Sequence, residues 1–297
     1  MINHNRCPVC NERDIREEVR STDHLVSGES FQIARCNNCR LLFTQEVPGE
    51  NDIGSYYKSE DYVSHSDISS GLLYWLYHLG RQIMLKRKHK MITKASGLKE
   101  GSLLDIGSGT GYFPAYMKRK KWISTAVEID EEAREFSRNK FNLEVHGLDE
   151  LEKFKPGQFD VITLWHVMEH LDNPVKMLTK IYDLLKYNGN CIIAVPNNQS
   201  YDAKLFGESW AAWDVPRHRW HFDIPSFRYL VNLSGFRIRQ IRRLPLDSFY
   251  ISVLSARYRN YRMAFIFGLI VGFISLVCSI INRKYSSSLV YILDKKV

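Results

Sequence analysis

"LLDIGSGTGYF", Leu103 to Phe113, places three glycines within five residues directly after an apolar run. Glycine loses more backbone freedom on folding than any other residue, so such a cluster marks a backbone that other residues cannot adopt or a close approach. Ser102 to Ile106 reads as a buried strand and Tyr112 to Lys120 as a helix, which puts the glycines at a strand–turn–helix junction. The helix start offers unpaired N–H groups there, and Gly107, Gly109 and Gly111 let the chain turn tightly against a ligand.

The spacing is G-x-G-x-G, not the G-x-G-x-x-G of dinucleotide binders, which argues against a pyrophosphate on the loop. A second strand, Ile123 to Glu128, runs into "VEID". Glu128 lies about twenty residues past the first glycine, where an acid at a strand end accepts bonds from ribose hydroxyls. A ribose contact without a pyrophosphate contact points to a nucleoside ligand such as S-adenosylmethionine. The competing reading of the same residues is a plain turn in an α/β sheet.

Further along, "LEVH" reads as a third strand, "FDVITLW" as a fourth, "CIIAVPN" as a fifth and "FRIRQIRRL" as a sixth. Between them lie two helices, "NPVKMLTKIYDLL", with Asn173 as N-cap and Pro174 in its first turn, and "PSFRYLVNLSGF". The alternation predicts a parallel sheet covered by helices on both faces. In this order "LLDIGSGTGYF", "AVEID", "FDVITLWHVMEHLDNP" and "VPNNQS" resemble the class I S-adenosylmethionine-dependent methyltransferases over residues 99–245, completed by 286–297. The resemblance implies an α/β, Rossmann-like seven-stranded sheet whose last strand, "SSLVYILDKK", is antiparallel. It also implies that Asp105 and the three glycines hold the methionine end and Glu128 the ribose. The adenine falls to the region of Gly147, through either the Asp149 carboxylate or the Leu148 side chain, and His166 joins the cofactor-binding set.

Residues 1–48 carry two C-x-x-C pairs, Cys7/Cys10 and Cys36/Cys39, the tetrahedral four-thiolate arrangement that zinc prefers. The long gap between the pairs leaves room for a small hairpin. With every ligand position filled by sulfur, the expected zinc is structural and folds a module too small to fold alone. Cys191 and Cys278 sit in apolar runs and read as small buried hydrophobes.

Methyl transfer from a sulfonium needs in-line geometry and a nucleophile that can lose a proton, so positioning and a general base carry the rate. Candidates belong at the carboxyl ends of the strands. "HVMEH" supplies His166, Glu169 and His170. It matches a zinc-protease spacing formally but lies at a strand end, not within a long helix. It also resembles the E-x-x-E-H stretch with which quinone-type O-methyltransferases bind a divalent cation, and departs from it in having His166 at the first position. "GESWAAWDVPRHRWHF" follows the fifth strand and is expected to form a pocket wall. It resembles the segment where zinc-containing sugar C-methyltransferases carry a Glu-His base pair. Here Arg217 replaces the Glu, which suggests an anionic acceptor group, and His218 stands in the His position as first choice for general base.

"MAFIFGLIVGFISLVCSII", 263–281, has no charge over nineteen residues, and seven arginines precede it from Arg237 to Arg262. If the last strand belongs to the same sheet, a single crossing of a bilayer would leave it on the far side. The reading is a helix or bent hairpin, within 246–285, that dips into one leaflet. The competing reading is a helix packed on the domain or in a dimer interface. "GLLYWLYHLGRQIMLKRKHK", 71–90, within a linker at 49–98, adds a second aromatic-to-basic stretch. The polar N-terminal stretch argues against export and the cysteine pairs suit a reducing cytosol, so the expectation is a cytoplasmic protein attached to a membrane surface through 263–281 and its flanking Arg and Lys. The net charge of +8 also admits an RNA methyltransferase with a zinc ribbon, though RNA binding has no use for the apolar run. A non-catalytic membrane scaffold is the third alternative. The leading expectation is transfer of a methyl group to an oxygen or carbon of a lipid-linked, isoprenoid or glycan-type acceptor.

Overall fold

The computed structural model describes residues 1–57 and 72–296. The chain starts with a meander of β1 (Ile15–Thr22), β2 (Ser30–Cys36) and β3 (Leu42–Thr44), with β1 and β2 filling the gap between the two cysteine pairs. The four sulfurs converge. Cys7 and Cys39 Sγ are 3.5 Å apart, Cys10 and Cys36 Sγ are 3.4 Å apart, and all four lie within 4.8 Å of one another. Backbone amides of Val9 and Cys10 turn toward the Cys7 sulfur, and those of Asn38 and Cys39 toward Cys36. These separations are far beyond a disulfide and close to the ~3.8 Å between sulfurs around a tetrahedral zinc with ~2.3 Å bonds.

Helix α1 (Leu72–Ser96) lies in the stretch expected as a linker, yet it buries Leu85, Ile92 and Ala95 against the main sheet. Of the aromatic-to-basic stretch 71–90, Gly71 and the side chains of 72–77 lie outside the described residues, as does 58–70 of the linker. After α1 the alternation begins: β4 (Ser102–Ile106), α2 (Tyr112–Arg119), β5 (Ile123–Val127), α3 (Glu131–Phe141), β6 (Glu144–His146), β7 (Phe159–Trp165), α4 (Pro174–Leu184) and β8 (Leu185–Pro196). Asn173 caps α4 by accepting from the Lys176 N–H at 2.9 Å. β8 begins six residues ahead of its apolar run because Leu185 already pairs with Phe159 across a register shift.

The segment after β8 holds α5 (Tyr201–Phe206), the two-residue strand β9 (Trp220–His221) and α6 (Ile224–Leu233). Then come β10 (Phe236–Arg243), α7 (Asp247–Tyr258), α8 (Ala264–Ile281) and β11 (Ser288–Lys295). The seven-stranded sheet runs β10-β11-β8-β7-β4-β5-β6, with β11 antiparallel to both neighbours. The expected α/β architecture is therefore present. β9 leaves this sheet and pairs with β3, so the cysteine module's sheet, β1-β2-β3-β9, is completed by the loop after β8.

The apolar run forms α8, the second arm of a hairpin with α7. It is the one helix, among the described residues, long and apolar enough to cross a membrane. Its small residues face inward: a Cβ on Gly268 would lie 2.4 Å from Val253 Cα, and one on Gly272 2.8 Å from Phe249 Cα. The G-x-x-x-G spacing thus permits direct backbone contact between the arms.

Candidate active site

β4 ends on the glycine turn, and all three glycines are left-handed, with φ of 71°, 52° and 76°. Their roles differ. A Cβ on Gly107 would lie 2.2 Å from Val167 Cγ2, and one on Gly111 2.5 Å from Ser137 Oγ, so both are held to glycine by neighbouring elements. Gly109 has open space in front of it. The N–H groups of Gly107 and Ser108 donate to the Val127 carbonyl, tying the turn to the end of β5. Ser108 Oγ is buried without a partner.

Glu128 follows β5 directly and points into this turn. Its Oε2 accepts from the Gly109 N–H at 2.6 Å, and its Oε1 from the N–H groups of Ile129 and Asp130. Asp105, the register partner of Thr163 across β4 and β7, accepts from Thr163 Oγ1 at 2.6 Å. Burial pushes the Asp105 carboxyl up to about 7, against the Thr163 bond and the charge of Lys88. Leu148 and Asp149 begin a short turn after β6, with Leu148 half-buried against the core and Asp149 exposed. Glycine cradle, open ground, an unpartnered hydroxyl and an inward carboxylate together fit a nucleoside ligand with an amino-acid end.

Lys88 was not legible as a site residue, because "LKRKHK" reads as a solvated basic run. In the fold α1 carries its Nζ to 4.2 Å from the centre of the Trp165 ring. Burial pushes this amine down to about 8, although Asp105 and Asp247 oppose the shift.

His166 follows β7 with a left-handed φ of 58°, uncommon for a non-glycine residue and a mark of strain at a functional segment. Its Nε2 pairs with Asp247 Oδ2 at 2.9 Å and its Nδ1 faces Glu169 Oε1 at 3.3 Å. Burial alone works to lower its pKa, but the two carboxylates outweigh it and hold the imidazole at about 10, so the ring is a cation. Asp247 was also missed. It is the single acid among the seven arginines before the apolar run, which was the available signal.

Glu169 is fully buried. Burial tends to raise its pKa, and the bond and charge of His166 reverse the sign and keep it low. Apart from that ion contact neither carboxylate oxygen has a hydrogen-bond partner. His170 meets the Tyr57 hydroxyl through Nδ1 at 3.2 Å and stands edge-on to His218, with ring centres 4.5 Å apart. Burial and then the neighbouring His218 push His170 down to about 4, so it is neutral. His218 Nδ1 lies 2.9 Å from the Ala212 carbonyl, which can only accept. That contact places a proton on Nδ1, and Nε2 faces Asp214 Oδ2 at 3.8 Å.

Two segments 48 residues apart in sequence thus meet: Glu169, His170 and His218 each bring a ligand atom within 4.8 Å of the others. A carboxylate and two imidazoles can pass a proton, and they are also a donor set for a divalent cation.

Of two expectations about the loop after β8, one is corrected outright and one in part. Arg217 does not face an acceptor. Its guanidinium is 1 % exposed and bonded to Asp214 at 2.7 Å, Asp23 at 2.8 Å and the Tyr56 carbonyl at 2.8 Å, which pins the loop to the cysteine module. The tryptophans belong to the core, and of the three Trp220 also borders a cavity, with Thr44, Asp172 and Arg219. Trp210, Trp213 and Trp220 are buried, and their ring N–H groups donate to Asp202, the Gly207 carbonyl and the Leu171 carbonyl.

A family model described as a methyltransferase domain matches residues 77–241, more than half of the chain. The chain belongs to the class I S-adenosylmethionine-dependent methyltransferases. This methyltransferase is similar to the ubiquinone biosynthesis O-methyltransferase of Acinetobacter baumannii (strain ACICU), with 26% identity over 165 residues, 51% of this chain and 70% of the relative. The corresponding Acinetobacter baylyi enzyme is 24% identical over 173 residues, 52% of this chain and 73% of the relative. Among solved structures, the Burkholderia thailandensis 1,6-didemethyltoxoflavin-N1-methyltransferase shares 16% identity at a TM-score of 0.51, covering 93% of this chain and 100% of the other. Geranyl diphosphate C-methyltransferase from Streptomyces coelicolor A3(2) shares 11% at a TM-score of 0.51, covering 78% and 88%. At these identities the structural likenesses concern the fold of the methyltransferase.

Proposed function

We propose that the protein transfers a methyl group from S-adenosylmethionine to an oxygen or carbon of a lipid-linked, isoprenoid or glycan-type acceptor presented at a cytoplasmic membrane surface. The observation that carries the reading is the Glu128 carboxylate turned onto Gly109, with open ground before the turn. In this reading Glu128 binds the ribose hydroxyls, Asp105 and the glycine turn receive the amino-acid end, and Asp149 or Leu148 borders the base. Bound S-adenosylmethionine supplies an electrophilic methyl group. His218 Nε2 takes the proton that the acceptor gives up as its nucleophile forms the new bond, and the thioether S-adenosylhomocysteine leaves. The buried Glu169 carboxylate and the neutral His170 beside it hold the polarity of the pocket and exclude bulk water. His166, as a fixed cation beside Val167, steadies the segment that packs on Gly107.

We further propose that Cys7, Cys10, Cys36 and Cys39 hold a structural zinc. The converging sulfurs support this, and the β3–β9 pairing would carry its stabilising effect to the loop bearing His218. The relatives named for ubiquinone biosynthesis support an acceptor of small, apolar kind.

The test is incubation of the protein and methyl-labelled S-adenosylmethionine with separated lipid, glycan and RNA fractions. Label is expected in the lipid or glycan fraction and falls about 10²- to 10⁴-fold in His218→Ala, as for loss of a general base. Label in the RNA fraction alone would replace this reading with the RNA methyltransferase.

A further inference from the structure

Helix α8 reverses the usual arrangement of a surface helix. Its inward face is made of small residues, Gly268, Val271, Gly272, Ser275 and Ser279, two of them polar, and its outward face is large and apolar. Phe265, Ile266, Ile270, Phe273, Ile280 and Ile281 are all exposed, and among the described residues nothing covers them. Such a contiguous patch marks an interaction surface rather than scattered exposure.

The inward face is fastened to the enzyme. Buried Asp202 accepts through Oδ1 from Ser275 Oγ at 3.0 Å and Ser287 Oγ at 2.7 Å, and through Oδ2 from the Trp210 ring N–H at 2.8 Å. Pulling α8 away as a spanning helix would strip that carboxylate of one donor and expose backbone packed at Gly268 and Gly272. Both ends of the hairpin also return to paired strands, β10 and β11. At about 1.5 Å per residue the helix is ~27 Å long, and it can only lie along a surface.

What surface is indicated by the rim. Arg257, Arg259 and Arg262 are exposed where the two arms meet, and Arg283 and Lys284 at the far end of α8. None of these pairs with a carboxylate among the described residues. An apolar stripe with cations at both ends complements an anionic leaflet, where each basic side chain near the headgroups adds to binding. A second copy of the same face would set like charges together.

The other arm of the hairpin reaches the chemistry. Asp247, the first residue of α7, holds His166. Two turns later Ser255 Oγ accepts from the Ala211 N–H at 2.8 Å, next to the Ala212 carbonyl that orients His218. We propose that the α7–α8 hairpin lies flat in one anionic leaflet and braces both histidine segments, so that the acceptor enters from the lipid phase. This deepens the membrane-surface reading above and rests on it. The acceptor site then lies beside the bilayer by construction, since one helix serves as strut to the site and as backing for the docking face.

The full-length protein is floated with vesicles of phosphatidylcholine alone and with vesicles containing phosphatidylglycerol, at low and high salt. Partition is expected to be at least about tenfold stronger on the anionic vesicles and to weaken with salt. The exposed double variant Ile270→Asp/Phe273→Asp is expected to lose at least about tenfold in partition while its affinity for S-adenosylhomocysteine, read by calorimetry, is unchanged. Equal and salt-insensitive partition on both vesicles overturns the proposal. So does absence of partition together with a dimer in sedimentation velocity that the double variant splits. Vesicle binding without any S-adenosylhomocysteine binding supports the docking surface and removes the methyltransferase reading instead.

Discussion

Alanine substitutions at Gly107 and Gly109 separate two reasons for a glycine. Both residues are left-handed, which costs an alanine about 1–2 kcal/mol. At Gly109 that is the whole penalty, because the added methyl meets nothing within 4 Å. At Gly107 the methyl arrives 2.2 Å from Val167 Cγ2 and 3.3 Å from Val167 Cβ and Cγ1, so the segment after β7 must move. Overpacking of this kind adds about 1–3 kcal/mol, which brings Gly107→Ala to about 2–5 kcal/mol. The neighbour is a stiff β-branched side chain beside a left-handed His166, with little room to give. Urea unfolding monitored by tryptophan fluorescence reads the difference as a shift in midpoint at constant slope. A double-mutant cycle with Val167→Ala should recover about 1 kcal/mol or more, since Cγ1 and Cγ2 are then gone. Equal destabilisation by the two glycine variants, or an additive cycle, would refute the claim that Gly107 is glycine because of Val167.

Two further outcomes follow from the site and the cysteine module. Elemental analysis should find about one zinc per chain, lost in Cys36→Ser together with thermal stability and with order in the β9 loop; a metal-free protein of unchanged stability would contradict the structural role. For His166, a folded pKa of about 10 against an unfolded 6.5 means that its stabilising contribution is complete below pH 6.5 and is lost as pH rises through 10. Asp247→Asn should flatten the unfolding free energy over that window and move the His166 imidazole resonances to a lower midpoint, with Asp247→Glu restoring both; unchanged titration in the Asn variant would contradict the pairing.

The sheet was legible because its signals are local. The glycine turn, the acid ending β5, the Asn173–Pro174 helix start and the apolar strands each state their element within a few residues. The cysteine pairs were legible for the same reason. What stayed hidden depends on which distant segments meet. β9 is two residues long, and only its pairing with β3 makes it a strand. Arg217 looked like a ligand for an anion because its partners are Asp214 nearby and Asp23 almost two hundred residues away. Lys88 was indistinguishable from its basic neighbours until α1 packed it against Trp165. His170 and His218 could each be named from the sequence, but their 4.5 Å approach follows from the loop folding back over the end of β7. Polarity of the hairpin was likewise half visible: the apolar run declares itself, while the part played by Ser275 depends on Asp202 lying beneath it.

The most direct measurement is calorimetric titration of S-adenosylhomocysteine into wild type, Glu128→Gln and the exposed control Glu132→Gln. If Glu128 grips the ribose from the end of β5, the Glu128 variant binds about 10- to 100-fold more weakly, the loss of a charge-assisted acceptor pair, while the control binds as wild type. Equal affinity in all three proteins would contradict the account.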